Sequence, residues 1–301
     1  MKNLPFFKST TFLAIIACIL WSTAFVGVKI GLKYNSPLQF AGIRFFISGL
    51  MILPFIPNIR SKVLIAWGNR RKIILVGFIQ TFLQYALFYT GMNFVPGALG
   101  AMVIGSGPLF IALVAHFLMP GDKLTYKKTF SIALGLLGIV VISLGRKSMG
   151  ATGNLVLFGM LVLIANNILA GFGNILVAKD QRKIPPLILS SFSMIFGGVL
   201  LFLTGIFIEG FKCGPFPVEY YISLGWLSFL SAAAISIWYT LLKRPEVKVS
   251  NLNMWKFIIP VLGAILSWAI LPDEKPTIIS ILGMSLVALA LISLSVKLRG
   301  K

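Results

Sequence analysis

Residues 96–117 read PGALGAMVIGSGPLFIALVAHF, an apolar stretch of membrane-crossing length broken by Gly105-Ser106-Gly107-Pro108. A proline inside a helix has no N–H to give to the carbonyl four residues back, so Pro108 is predicted to leave the Ile104 oxygen unpaired. In lipid such an oxygen is costly, and another group has to meet it. A counterpart stands in the second half: residues 251–271, NLNMWKFIIPVLGAILSWAIL, where Pro260 is predicted to free the Lys256 carbonyl. Interrupted helices at corresponding places in two halves point to the solute site of a secondary transporter, because irregular backbone at membrane depth is tolerated against protein or a wet cavity. A proline kink packed against neighbouring helices accounts for either proline alone. The pairing of the two carries the argument.

The composition agrees with a membrane setting. Of 301 residues, 58% are hydrophobic and 11% charged, with a mean hydropathy of +0.96, more apolar surface than a soluble core hides. The net charge of +20 would suggest nucleic acid in a soluble protein. Here the basic residues fall in short loops between apolar runs, so they carry orientation, and nucleic-acid binding is rejected. Cys18 and Cys213 make neither a disulfide framework nor a metal or redox spacing. Lys2 and Lys8 precede an apolar run that a signal peptide would also show, but the run from Phe12 to Gly31 is long enough to span and is read as retained. A prokaryotic cytoplasmic (inner) membrane is the simplest location.

Apolar runs predict ten transmembrane helices, at 12–31, 38–56, 73–93, 98–118, 127–145, 154–178, 186–208, 219–242, 251–271 and 277–296. The expected fold is therefore all-α and polytopic. Arg60, Lys62, Arg70, Arg71, Lys72, Lys123, Lys127 and Lys128, then Lys179, Arg182, Lys183, Lys243, Arg244 and Lys248, then Lys297, Arg299 and Lys301 gather on the face that also carries Lys2 and Lys8. The opposite loops offer chiefly Lys33, Arg146, Lys147, Lys212 and Lys275. Both termini are expected to be cytoplasmic. Ten helices divide into five and five, residues 12–145 and 154–296, and an odd number per unit inverts the second copy. Phe88-Tyr89-Thr90 matches Trp238-Tyr239-Thr240, Ser36-Pro37-Leu38 matches Pro185-Pro186-Leu187, and LMPGDKLT (118–125) matches LPDEKPT (271–277), in the same order.

These residues carry a resemblance. A proline-led second helix with Arg44-Phe45, FYTGMNF closing the third, the Gly-Pro break of the fourth, and PGDKLT leading into LGLLGIVVISL resemble the EamA domain of the drug/metabolite transporter superfamily. FIIPVLGAILSWAILPDEKPTIISILG repeats the close of that pattern, so the resemblance covers nearly the whole chain. The acidic residue after glycine is Asp122 in the first half. The second half has Asp273-Glu274 with no glycine before them, a departure that touches a loop and not the cavity. The resemblance implies a ten-helix transporter of two inverted five-helix repeats around a central cavity, working by alternating access without a cofactor.

The acidic residues Asp122, Asp180, Glu209, Glu219, Glu246, Asp273 and Glu274 all fall in loops or at helix ends, which offers no buried carboxylate for proton coupling. His116, at a helix end, reads as interfacial. A membrane hydrolase would need a nucleophile with its base or a set of metal ligands. The sequence has no GxSxG, no HExxH and no intramembrane aspartate pair, so neither an enzyme nor a metal site is expected. The polar residues inside the spans are mostly neutral, with five amides among them. Gln80 and Gln84 are four apart and Asn167 and Asn174 seven apart, so each pair shares a helix face, with Asn166 nearby. They either bond between helices or line a cavity suited to zwitterionic or neutral polar solutes. Arg44 and Lys256 stand roughly 8 to 9 Å of helix rise from a span end. Both are expected to snorkel or pair with loop carboxylates, or else to attract a substrate anion, with Lys256 the better placed. Trp21, Tyr85 and Trp255 are candidate walls for an apolar moiety, on segments shared with Tyr89, Trp238 and Tyr239.

The expected function is efflux of a small organic solute, an amino acid or a relative of one. Solute would bind among Gln80, Gln84, Asn167, Asn174 and Lys256, and the break at Gly105, Gly107 and Pro108 would flex, Pro260 being the second expected helix break. The alternatives are an exchanger of phosphorylated or other anionic metabolites, and a non-transporting membrane partner or sensor whose cavity would be plugged by side chains. The partners expected are a small-molecule substrate and the lipid bilayer; no feature sets the oligomeric state.

Overall fold

Long apolar runs can shield their backbone polar groups from lipid only by bonding within the segment, and the chain does so by helices throughout. The computed structural model describes residues 9–119, 122–144, 153–179 and 184–295, and among them there is no strand. In order come α1 (Thr10–Leu32), α2 (Pro37–Ile52), α3 (Ile59–Gly68), α4 (Arg70–Val76), a π-helical turn (Gly77–Leu83), α5 (Gln84–Phe94), α6 (Gly97–Gly105) and α7 (Gly107–Leu118). The rest are α8 (Tyr126–Leu144), α9 (Asn154–Lys179), α10 (Pro186–Glu209), α11 (Val218–Leu242), α12 (Val249–Asn253), a 3₁₀ turn (Met254–Phe257), α13 (Ile258–Ile270) and α14 (Ile278–Ser295). Among the described residues nine stretches are long and apolar enough to cross a membrane, Arg70–Phe94, Gly97–Leu118 and Val249–Ile270 each counting as one, and Ile278–Ala290 is a shorter apolar helix.

Three features differ from the sequence expectation. The stretch between the second and third spans, expected to be a loop, contains α3, with Leu64 and Trp67 exposed. The third span is not a uniform α-helix but carries the π turn. The ninth span, expected to break at Pro260, breaks ahead of it, into α12, the 3₁₀ turn and α13. Residues 145 and 296, which close the two expected repeats, lie outside the described residues, as do Lys2, Lys8, Arg146, Lys147, Asp180, Arg182, Lys183, Lys297, Arg299 and Lys301.

The helices pack as α2 on α10, α8 on α14, α1 on α11, α5 on α9, and α6 on α13. Without a hydrophobic drive between helices in lipid, such pairs rely on close backbone approach at small residues. A Cβ on Gly138 would stand 3.0 Å from the Gly283 carbonyl oxygen and one on Gly283 3.1 Å from that of Gly138. Gly91 and Gly159 meet each other's carbonyl oxygens at 3.0 Å in the same reciprocal way. Because α13 lies on α6 while α12 lies on α7, the two interrupted spans run antiparallel along each other.

Candidate functional site

The site is organised by the two interruptions. At the first, α6 ends at Gly105, and two tight bonds carry the chain across: Ser106 N–H to Val103 O at 3.2 Å and Leu109 N–H to Ser106 O at 3.0 Å. The oxygen that gathers side-chain donors is that of Val103, not Ile104 as Pro108 had suggested. It accepts from Ser106 Oγ at 2.6 Å and from Asn167 Nδ2 at 2.8 Å. The chain leaves α geometry at Ser106, ahead of the proline, and Pro108 falls in the first turn of α7, where a missing N–H costs nothing. The ninth span repeats this. Its irregular turn is Met254–Phe257, whose Trp255 and Lys256 carbonyls are reached by the Ile258 N–H, and Pro260 sits in the first turn of α13. The Lys256 oxygen is thus met from the backbone.

Between the breaks lies a cavity of about 100 Å³. Trp21, Gln80, Gln84, Tyr85, Asn167, Asn174 and Lys256 all line it, as does Gly107. Trp255 is not among its lining residues. It precedes Lys256 on a 3₁₀ turn, where successive side chains diverge by about 120°. Gly105, Pro108 and Pro260 are likewise outside the lining, with Gly105 pressed on Pro260.

The amides divide into those already engaged and those with capacity left. Asn167 bridges to the break, so its first role is to satisfy the Val103 oxygen. Gln80 Nε2 donates to Asn174 Oδ1 at 3.4 Å, and Asn174 Nδ2 to Asn253 Oδ1 at 3.2 Å, a chain of amides linking the third, sixth and ninth spans. Among the described residues, Gln80 Oε1, Gln84 Oε1 and Asn166 Oδ1 are buried acceptors with no partner, and Trp238 Nε1 is a buried donor with none. All four residues line the cavity. Such groups cost free energy unless something in the cavity bonds to them.

Arg44 corrects the sequence expectation most sharply. It neither snorkels nor pairs with a loop carboxylate: at 1% exposure it is buried on the cavity wall. Nε donates to Leu227 O at 3.2 Å and Ser231 Oγ at 3.0 Å, Nη2 to Ser231 Oγ at 2.6 Å, and Nη1 to the Tyr89 hydroxyl at 2.6 Å. The guanidinium also lies 4.7 Å from the Phe45 ring centroid. Every one of these partners is neutral. Lys256 is the second cation: Nζ stands 5.3 Å from the Trp21 ring and 4.8 Å from the Trp238 ring, which themselves meet edge to face at 5.0 Å. Neither cation forms an ion pair with a carboxylate among the described residues. Sequence reasoning left Arg44 out of the site because a long basic side chain near a span end ordinarily reaches water. Phe25, Phe88 and Trp238 also line the cavity, where aromatic residues in a membrane chain are too common to single out by pattern.

His116 holds the loop after α7: Nδ1 accepts the Leu124 N–H at 3.0 Å, and the His116 carbonyl accepts from Lys123 Nζ at 3.1 Å.

The sequence profile described as the EamA-like transporter family matches residues 8–144 and 157–296. Among curated proteins, an uncharacterised transporter, YvbV of Bacillus subtilis (strain 168), is 26% identical over 99% of this chain and 94% of its own length. A protein named "probable amino-acid metabolite efflux pump" in Escherichia coli (strain K12) is 25% identical over 91% of each. A solved crystal structure superposes with a TM-score of 0.71 at 18% identity, covering 96% of both chains, a likeness of fold alone.

Proposed function

This chain belongs to the EamA-like transporter family, and from that premise we propose that it is a secondary transporter exporting small organic metabolites, amino acids or related solutes, by alternating access. The observation that carries the reading is a cavity between two broken spans that holds two cations, Arg44 and Lys256, with no paired carboxylate among the described residues, beside amide oxygens of Gln80, Gln84 and Asn166 that none of those residues bonds. A solute with a carboxylate and an N–H donor answers both deficits: its anion meets the cations, and its donor meets the amides. The binding set is Gln80, Gln84, Asn167, Asn174 and Lys256, extended by Arg44, with Trp21 and Tyr85 as walls. The name of the Escherichia coli relative supports the solute class.

The pairing of helices supports a twofold arrangement of residues 12–145 and 154–296 as two inverted five-span repeats. Contacts of spans two with seven, four with nine and five with ten map onto themselves under such an exchange, and one with eight maps onto six with three. We place the protein in the cell membrane of a bacterium with both termini in the cytoplasm, following the basic loops. A non-transporting sensor fits less well, since the cavity is not plugged by side chains.

Counterflow in proteoliposomes tests the reading. A labelled amino acid accumulating above empty vesicles supports it. Failure across an amino-acid panel, with passage of phosphorylated sugars, favours the second reading, an exchanger of anionic metabolites, which the two unpaired cations also suit. No flux of either class rejects both.

A further inference from the structure

We infer that Asp122 and Glu274 are reciprocal latches, each positioning the interrupted span of the opposite half, so that releasing one opens the cavity at that end alone. Each carboxylate stands four residues beyond the end of its own interrupted span, Leu118 and Ile270 respectively, and each grips the beginning of the other. Asp122 Oδ2 accepts the Ser250 N–H at 3.0 Å and Oδ1 accepts the Ser250 hydroxyl at 2.5 Å and Lys128 Nζ at 2.6 Å. Glu274 Oε1 and Oε2 accept the N–H groups of Gly97 at 2.5 Å and Ala98 at 2.7 Å. Beside it, Lys29 Nζ donates to the carbonyls of Met92 at 3.2 Å and Val95 at 3.1 Å, holding the end of α5 as Glu274 holds the start of α6. The spans run antiparallel, so the two grips lie at opposite ends of the bundle.

What makes these contacts latches is what they hold. Glu274 binds α6, which the break at Ser106 separates from α7, and Asp122 binds α12, which the 3₁₀ turn separates from α13. A short segment uncoupled from the rest of its helix can swing as a unit about the break. The cavity sits at those hinges, lined by Ile104 and Gly107 at one and by Lys256 and Ile259 at the other. Glu209 makes a similar grip, both oxygens accepting the Leu38 N–H at 3.1 Å, but on the unbroken α2, where nothing hinges.

The test reads accessibility rather than flux, so it stands apart from the transport reading on which the inference rests for its purpose. In a chain with Cys18→Ser and Cys213→Ser, Ala24→Cys on the cavity wall is labelled with a membrane-impermeant maleimide from either side of sealed vesicles. Glu274→Gln is expected to raise the labelling rate roughly tenfold from its own end and leave the other end unchanged, as expected for losing a charge-assisted bond. Asp122→Asn does the reverse, and Glu209→Gln changes neither. Ser250→Ala and Ala98→Pro, which remove donors and leave both carboxylates, should reproduce each effect more weakly and serve where a carboxylate variant fails to fold. Equal increases from both ends, or lower thermal stability with labelling unchanged, would overturn the inference and leave the carboxylates as structural caps.

Discussion

Gly105 lies directly against Pro260: a Cβ on the glycine would stand 2.4 Å from the ring's Cγ and Cδ. The two breaks of the chain therefore touch, one from each half, at a point where the partner is a rigid ring with no rotamer to yield. Gly105→Ala is expected to cost about 1 to 3 kcal/mol through overpacking, lowering the midpoint of thermal unfolding in detergent. Gly225→Ala, in α11 with nothing within 4 Å of the added carbon, is expected to be neutral or stabilising by up to roughly 1 kcal/mol.

Lys256 separates stability from function. Its ammonium faces the rings of Trp21 and Trp238 and, among the described residues, no carboxylate, so Lys256→Met trades a charge without an ion pair for apolar packing of similar length. The unfolding midpoint is expected to hold or rise while counterflow of a carboxylate-bearing solute falls to background. A fall in both would place Lys256 among the groups that hold the fold.

Asn167 and its neighbour should part company. Asn167→Leu strips a donor from the Val103 oxygen at the break, with an expected loss of roughly 1 to 3 kcal/mol. Asn166→Ala removes an acceptor that no described protein group uses and only a long 3.5 Å bond from Nδ2 to Asn167 Oδ1, so it should destabilise less than Asn167→Leu while solute-dependent thermal stabilisation shrinks.

The grip on Ser250 gives stability a pH dependence of definite sign. Burial works to raise the Asp122 pKa, but the bonds from Lys128 and Ser250 outweigh it and hold the carboxyl below its ordinary 3.8. A depressed folded-state value means the stabilisation is fully present above the unfolded value and is lost as pH falls through the folded one. The parent chain should therefore lose stability more steeply between about pH 5 and pH 3 than Asp122→Asn, which should already be less stable near neutrality.

Much of this was legible in the sequence because it follows from covalent chemistry. A Gly-Ser-Gly-Pro run in lipid must interrupt a helix, and amides at helical spacing share a face, so the break near Gly105 and the common faces of Gln80 with Gln84 and of Asn167 with Asn174 could be read directly, but whether those faces bond between helices or line a cavity could not. The exact placement was not, since proline is as comfortable one turn after an irregularity as within it, and the irregular turns came to precede Pro108 and Pro260. Arg44 was misplaced because its neutral partners, Ser231 and the Leu227 carbonyl, lie on a span distant in sequence. Trp255 was named beside Lys256 although neighbours on either kind of helical turn diverge by about 100° or more, so one cavity takes Lys256 and not Trp255. The π turn around Gln80 has no sequence signature, and the match of PGDKLT with LPDEKPT set Asp122 against Asp273-Glu274 without showing that Glu274 is the one that grips Gly97 and Ala98.

The interlacing of the two halves has a consequence for biosynthesis. When the first five spans have left the ribosome, Arg44 has yet to meet Ser231, Gln80 has yet to meet Asn174, and the Val103 oxygen has yet to meet Asn167, all supplied by chain not yet made. The nascent half thus waits in the bilayer with only its internal bonds made, Ser106 to the Val103 oxygen and Arg44 to Tyr89, and the rest of these groups' bonding open to quality control. Two separately translated halves, by the same logic, should rescue each other when made in one cell.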